Sequence, residues 1–320
     1  MIAFNLKREN RYNISINNWA LHQHYRNSTM SDNQIFVKPS TEDAHPQDKQ
    51  HIRLTYVINY YLDRENLAYT VLDVLSKYSK YSSDLLDVIQ FVIVDDGSPV
   101  EFEIPEYDLN ITWLKITEDI PWNIGGSKNL GVVYAKSDKI LISDLDREFP
   151  EHTLRKMTEM GNLGRKFYKV WARDSETKVM GRPHSNTFLI SRGRFLKLYG
   201  YDEEYAGGYG ADDYRFVKFQ KYHGSWQRKL PKKFYCIRRK LMKDGDYVSL
   251  KREFTRNTPI DQRKRNELLY WGEESGHSRM FLNFKWDVVF THNRSSKPNR
   301  PSKRYWKHFW IFRTLRGLFC

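Results

Sequence analysis

Cysteine is nearly missing from this chain of 320 residues: Cys236 and Cys320 are the only two. Two thiols cannot build a disulfide framework, so a stapled secreted scaffold is excluded and a reducing compartment is expected. No run approaches the roughly 20 apolar residues that a spanning helix needs, and the N-terminus lacks the apolar core of a signal peptide. The expectation is therefore a soluble or peripheral protein of the cytoplasm. Internal repeats, low-complexity tracts, zinc-ligand spacing, ribonucleoprotein motifs and helix-turn-helix signatures are also missing, which removes the usual nucleic-acid modules.

Acidic residues are scarce only in one part of the chain. The net charge is +14, but residues 221–320 hold 25 Lys and Arg against 8 Asp and Glu, so residues 1–220 come out at −3. A basic C-terminal third points to nucleic acid, an anionic membrane surface or an acidic substrate, or to a solvated surface with no partner. With 40% hydrophobic and 15% aromatic residues, the chain can bury a full-sized core.

Residues 1–50 are rich in Asn, Ser, Gln and His without periodicity and read as an irregular lead-in. Regular structure begins at Leu54 to Tyr60, a predicted strand, followed by an apolar helical face from about Arg64 to Tyr78. A strand over Val88 to Val94 runs into Asp95-Asp96-Gly97-Ser98-Pro99, a set of turn residues. A short strand over Ile111 to Lys115, a glycine-opened helix over Asn123 to Ala135 and a strand over Lys139 to Ser143 repeat the βαβ logic. Helices are predicted at Glu151 to Met160 and Arg192 to Leu198, with a strand at Asn186 to Ile190 between them. The reading is an α/β fold with a mostly parallel sheet flanked by helices. In such sheets ligands bind beyond the carboxyl ends of the strands, where Asp95, Asp96, Asp144 and Asp146 all fall.

The pair Asp144-Leu145-Asp146 follows a buried-type strand, and two carboxylates emerging together call for a cation, for which a hard divalent ion is the natural partner. A second Asp-x-Asp, Asp244-Gly245-Asp246, lies in a polar stretch and reads as a solvated turn. Only the first is preceded by the amide- and glycine-rich segment Trp122 to Gly131.

Taken in order, three segments resemble the inverting glycosyltransferases of the GT-A fold, family 2 and the beta-1,4-galactosyltransferase-like group. They are Val92 to Ser98; Asn123 to Gly131 with Asp144-Leu145-Asp146; and Gly207-Gly208-Tyr209-Gly210-Ala211-Asp212-Asp213. The resemblance covers roughly Thr55 to Phe219. It implies a GT-A domain over 51–295, between the lead-in of 1–50 and a basic aromatic tail of 296–320. It further implies that Asp95, Asp96, Asn123, Gly125, Lys128 and Asp144 contact a nucleotide-sugar donor, with Asp96 accepting from the uracil N3–H of a UDP-sugar. Asp144 and Asp146 would hold Mn²⁺ or Mg²⁺. Asp213 would be the general base and Asp212 a hydrogen-bond partner of the acceptor, a hydroxyl of a glycan or lipid-linked glycan; the two roles are interchangeable on sequence grounds. Lys128 stands where the family often has Arg, giving an ammonium without the bidentate fork. Ala211 stands where Gly or Glu is usual.

A fourth segment, Val288 to Arg294, resembles the strand-to-histidine segment of the galactosyltransferase-like group. There His292 would complete the metal site and tilt it toward Mn²⁺, because nitrogen ligands suit the softer ion. Trp171, His184 and Tyr209 are candidates to stack on sugars. The tail Tyr305 to Cys320 is suited to peripheral contact with an anionic membrane. The rival readings are a nucleic-acid- or glycan-binding protein without transferase activity, and a nucleotidyltransferase, which also uses paired acids and metal.

Overall fold

The computed structural model describes residues 51–63, 68–183, 186–239, 252–272 and 275–294, all within the unit Pro39–Cys320. The lead-in, His184, the second Asp-x-Asp and the C-terminal tail lie outside the described residues.

Five strands and one helix frame the site. They are β1 (Leu54–Tyr60), β2 (Ile89–Asp95), β3 (Asn110–Ile116), β4 (Lys139–Asp144), β5 (Arg147–Glu148) and, after β1, α1 (Ala68–Tyr78). A short helix, α2 (Ser83–Leu86), precedes β2, and α3 (Ile124–Val133) connects β3 to β4. β1 and β2 are buried along all seven residues each. That is why they read as unbroken apolar runs and not as alternating ones: a parallel strand covered on both faces has no solvent side.

Beyond β4 the chain forms α4 (Glu151–Glu159), β6 (Lys166–Lys169), β7 (Trp171–Asp174), β8 (Phe188–Ser191) and α5 (Arg192–Lys197). A 3₁₀ turn (Glu203–Tyr205) leads to α6 (Asp212–Tyr222), β9 (Trp226–Lys229), β10 (Tyr235–Arg238), α7 (Asn257–Trp271) and β11 (Trp286–His292). The main sheet has eight strands in the order β11-β3-β2-β1-β4-β8-β6-β9. β3, β2, β1 and β4 are mutually parallel, while β11 and β8 run antiparallel to their neighbours. This is the expected mixed, mostly parallel sheet flanked by helices. A second sheet of three strands, β5-β10-β7, was not anticipated.

One face of the main sheet carries an aromatic core. Tyr56 meets Phe149 edge-on at 5.3 Å, and Tyr78 stacks on Phe91 at 5.3 Å. The Tyr56 hydroxyl is spent on Ser143 Oγ, 2.8 Å away, so its burial leaves no orphaned polar group. α3 lies on the other face, and Gly131 permits its approach: a Cβ there would come 2.3 Å from Val57 Cγ1. The packing of α3 on β1 and β2 points its N-terminus at the carboxyl ends of the strands. Among the described residues no helix is long and apolar enough to cross a membrane.

Candidate active site

Asp95 ends β2, and its carboxylate accepts the Ser98 backbone N–H at 2.8 Å, closing the turn. Ser98 Oγ in turn accepts the Leu62 N–H at 2.8 Å, and the Asp96 N–H donates to Tyr60 O at 2.9 Å, which ties the turn to the end of β1. Gly97 makes this possible with φ +79°; a Cβ there would fall 2.5 Å from Glu118 O. Both acids are buried. Burial pushes the Asp95 carboxyl up, and burial followed by the Asp95 charge pushes Asp96 well above the usual carboxylate range.

Beside Asp96 stands Asn123, which starts α3: its carbonyl takes the Ser127 N–H at 3.0 Å, but its side chain does not cap the helix. The amide folds back over the first turn into space that Gly126 leaves open, where a Cβ would collide with Asn123 Oδ1 and Phe284. Asp96 and the Asn123 amide face each other, an interaction that holds the Asp96 carboxyl down against its burial, but Asp96 Oδ1 and both amide atoms of Asn123 are buried without a hydrogen bond of good geometry among the described residues. Polar atoms in that condition are costly unless a ligand completes them. Gly125, expected at the nucleotide, backs onto Tyr201.

The acidic centre is built around Lys128, whose side chain is wholly buried. Its Nζ lies 3.2 Å from Asp144 Oδ1, 3.5 Å from Asp213 Oδ1 and 5.2 Å from the Tyr201 ring centre. Burial alone would push the ammonium down; Asp144, Asp213 and then Tyr201 and Asp212 outweigh it, so Lys128 is held well above its ordinary range. An expected neutraliser of phosphate is thus an internal counter-ion joining the donor-side acid to the acceptor-side acid. The other oxygen of Asp144 accepts from Asn186 Nδ2 at 2.5 Å. Asp146 lies 3.3 Å from Arg147 Nε.

Asp212 and Asp213 open α6, after a loop in which Gly207 and Gly210 have positive φ and Ala211 has φ +75°. Asp213 Oδ1 also faces the Tyr201 hydroxyl at 3.4 Å. Asp212 is half-buried, and burial with the adjacent Asp213 charge pushes it up to about 7. The glycine loop packs through Tyr209 on Trp122, 4.8 Å between ring centres, and through the Gly207 N–H on Pro121 O at 2.7 Å.

His292 does not join this group. Its partner in β11 pairing is Ile111, whereas Asp144 is level with Asn59, Val94 and Leu114 through β1 and β2. It therefore sits three residues toward the amino ends of the parallel strands and four strands away, roughly 20 Å at sheet spacing. Its Nδ1 faces Leu109 O at 2.8 Å. Among the described residues no three His, Cys, Asp or Glu side chains gather as a metal cage. The donor set still suits a divalent ion of the kind held by one or two carboxylates plus substrate phosphates: Asp144 is shared with Lys128 and Asn186, and Asp146 with Arg147.

Asn186 and Tyr201 were not foreseen. Asn186 opens the segment predicted as a strand, and the signal was there: antiparallel pairing of Phe188 with Ile142 carries Asn186 to Asp144. Tyr201 carried no local signal; it is held by Asn129, which accepts the Tyr201 N–H at 2.8 Å and donates to Tyr201 O at 2.9 Å.

No protein-family model matches the chain, and no curated protein does. In fold it is similar to S. aureus TarS in complex with UDP-GlcNAc, with a TM-score of 0.47 and 14% identity over 68% of this chain and 64% of TarS. The aligned part thus spans less than two thirds of that protein. It is also similar to the catalytic domain of Drosophila beta-1,4-galactosyltransferase 7 in complex with xylobiose (TM-score 0.41, 12% identity, 75% of this chain and 87% of that one). A mutant of the Drosophila enzyme with manganese, UDP-Gal and xylobiose gives 0.40 and 11%, over 64% and 78% of the two chains. These likenesses concern the course of the backbone.

Proposed function

We propose that residues 51–295 form an inverting glycosyltransferase that moves a sugar from a UDP-linked donor to a hydroxyl of a glycan. The observation that carries the reading is the convergence on Lys128 of Asp144, from a strand end, and Asp213, from the glycine loop. Two acids 69 positions apart in sequence meet at one ammonium, as a reaction between a donor and an acceptor requires.

The base of the donor lies against Asp96 and Asn123. A buried carboxylate oxygen and the buried amide it faces, neither in a hydrogen bond of good geometry among the described residues, offer an acceptor for the uracil N3–H and a donor for a neighbouring carbonyl. Asp146 would hold a divalent cation together with diphosphate oxygens, and that ion would neutralise charge on the departing nucleotide. Among the described residues no imidazole stands beside Asp146 to favour Mn²⁺ over Mg²⁺.

On the acceptor side, a hydroxyl attacks the anomeric carbon from the face opposite the diphosphate, and a carboxylate takes its proton as the bond forms. Asp213 is that base: the Lys128 ammonium lies 3.5 Å from its Oδ1, and the Tyr201 hydroxyl faces the same oxygen at 3.4 Å. Asp212, pushed up to about 7 by burial and the Asp213 charge, hydrogen-bonds the acceptor. The test is release of UDP from a panel of UDP-sugars, with and without a divalent cation. One donor should turn over slowly even without acceptor; no binding or hydrolysis of any sugar nucleotide would end the proposal.

A further inference from the structure

The sheet continues past Asp144 in one direction only, and there the charge changes sign. β8 brings Asn186 to Asp144, β6 pairs with β8 at Lys169 and Phe188, and β9 pairs with β6 at Lys229 and Lys169. Lys169 thus stands on β6, two strands from Asp144 and beside the edge strand that carries Lys229. Burial, then the Lys221 charge, pushes its ammonium down, with Asp213 acting in the opposite sense.

Two residues beyond Lys169 comes Trp171. Its indole N–H donates to Leu230 O at 2.8 Å, which fixes the ring. Lys229 Nζ lies 5.1 Å and Lys232 Nζ 5.2 Å from the centre of that ring. Both ammonium groups draw on one aromatic face system, so they stand no more than about 10 Å apart, within a Debye length at 0.1 M salt. Among the described residues Lys169, Lys221, Lys229 and Lys232 have no carboxylate within ion-pair distance. Other cations at the surface do carry carboxylate partners: Arg155 pairs with Asp84 and Glu151, and Arg263 with Glu267.

Lysines on an edge strand also deter sheet-to-sheet pairing, and β9 is an edge with all four residues exposed. That accounts for Lys229 alone. Lys232 lies after the strand and Lys169 on the strand inside it, where edge protection gives neither a role.

We infer that the acceptor is an anionic glycan, and that Lys229 and Lys232, gathered on Trp171 and continued through Lys221 and Lys169 to Asp213, form the subsite for a carboxylate or phosphate on it. The inference rests on the transferase reading and adds the class of acceptor. The anion would lie between two ammonium groups that otherwise repel, leaving a neutral hydroxyl of the same chain to reach Asp213.

The experiment measures binding of the full chain by calorimetry at 0.05 and 0.15 M salt. The probes are a galacturonic acid hexamer, its methyl ester, in which the same backbone carries no charge, and a phosphorylated mannan oligosaccharide. The acid hexamer, the phosphorylated glycan or both should bind, more tightly at low salt, and the ester should not; which of the two binds better separates carboxylate from phosphate. Lys229→Gln with Lys232→Gln should weaken the bound probe by about three- to thirty-fold, the sum of two exposed ionic contacts. Both side chains are exposed, so folding is not at stake; Arg53→Gln with Lys80→Gln, at the amino ends of the strands, should change nothing. Equal binding of ester and acid, or unaltered binding by the Lys229 and Lys232 variant, overturns the inference. So does tighter binding of duplex DNA or anionic vesicles that depends on the same two lysines, because the wall would then serve another polyanion. UDP release by the unaltered chain is scored separately: if no sugar nucleotide is turned over while the anionic glycan binds, the transferase reading fails and the subsite is not an acceptor subsite.

Discussion

Replacing Lys128 by Met removes a wholly buried charge and leaves a side chain of similar length in its place. At an effective dielectric of 20, an ammonium 3.2 Å from Asp144 and 3.5 Å from Asp213 gains about 5 kcal/mol from each. Most of that offsets the cost of taking the ammonium out of water. Breaking such a cluster by removing one partner costs about 3–5 kcal/mol, because the remaining carboxylates are left uncompensated. Here Asp144 and Asp213 keep 31% and 24% of their side-chain surface exposed, so water relieves part of the loss and about 3 kcal/mol is expected. With a urea m-value near 3 kcal/mol/M, the unfolding midpoint should fall by about 1 M. Adding Asp213→Asn to Lys128→Met removes one of the stranded charges and should recover about 1–2 kcal/mol, a coupling that a double-mutant cycle reads directly. Turnover should drop further than stability explains, since Asp213 loses the ammonium that positions it. A midpoint shift under about 0.3 M, or strictly additive single and double variants, would refute the counter-ion role.

Asp213→Asn should keep donor binding by calorimetry and lower transfer by about two to four orders of magnitude, the range for losing acid–base assistance; near-normal turnover would move the base to Asp212. Asp212→Asn should stabilise the protein in alkali. Its folded pKa of about 7 lies above the unfolded value, so the native state binds the proton more tightly and stability falls as pH rises from about 4 to 7. The variant should gain about 1–2 kcal/mol at pH 8 and almost nothing at pH 4, read as a pH-dependent difference in Tm. Ala211→Gly should gain about 1 kcal/mol by relieving φ +75°, and no gain in the urea midpoint would show that the loop tolerates the side chain. His292→Ala should leave the cation concentration needed for activity unchanged, whereas Asp146→Ala should raise it steeply; the opposite order would restore His292 to the site.

Local pattern alone was enough for the parallel core. β1, β2 and the middle of β4 are mostly apolar because both faces are covered, and the turn residues at Asp95 to Ser98 and the acids at Asp144 and Asp146 mark where those strands stop. Strand direction then put the expected acids at one end of the sheet, since every parallel strand delivers its carboxyl end to the same crevice. The short strands β6, β7, β9 and β10 stayed illegible: four residues each, with half-exposed and charged side chains, they have no period to read.

Three matters only the tertiary structure decided. Whether Lys128 turns toward phosphate or toward protein depends on Asp213, which arrives 85 positions later in the chain. His292 follows an apolar strand just as Asp144 does, yet β11 runs antiparallel to β3, so its carboxyl end falls at the opposite edge of the sheet. The gathering of Lys229 and Lys232 on Trp171 arises from a parallel pairing between β6 and β9 and the loop that follows. In each case the deciding quantity is a distance between segments remote in sequence, which residue order does not encode until the sheet has closed.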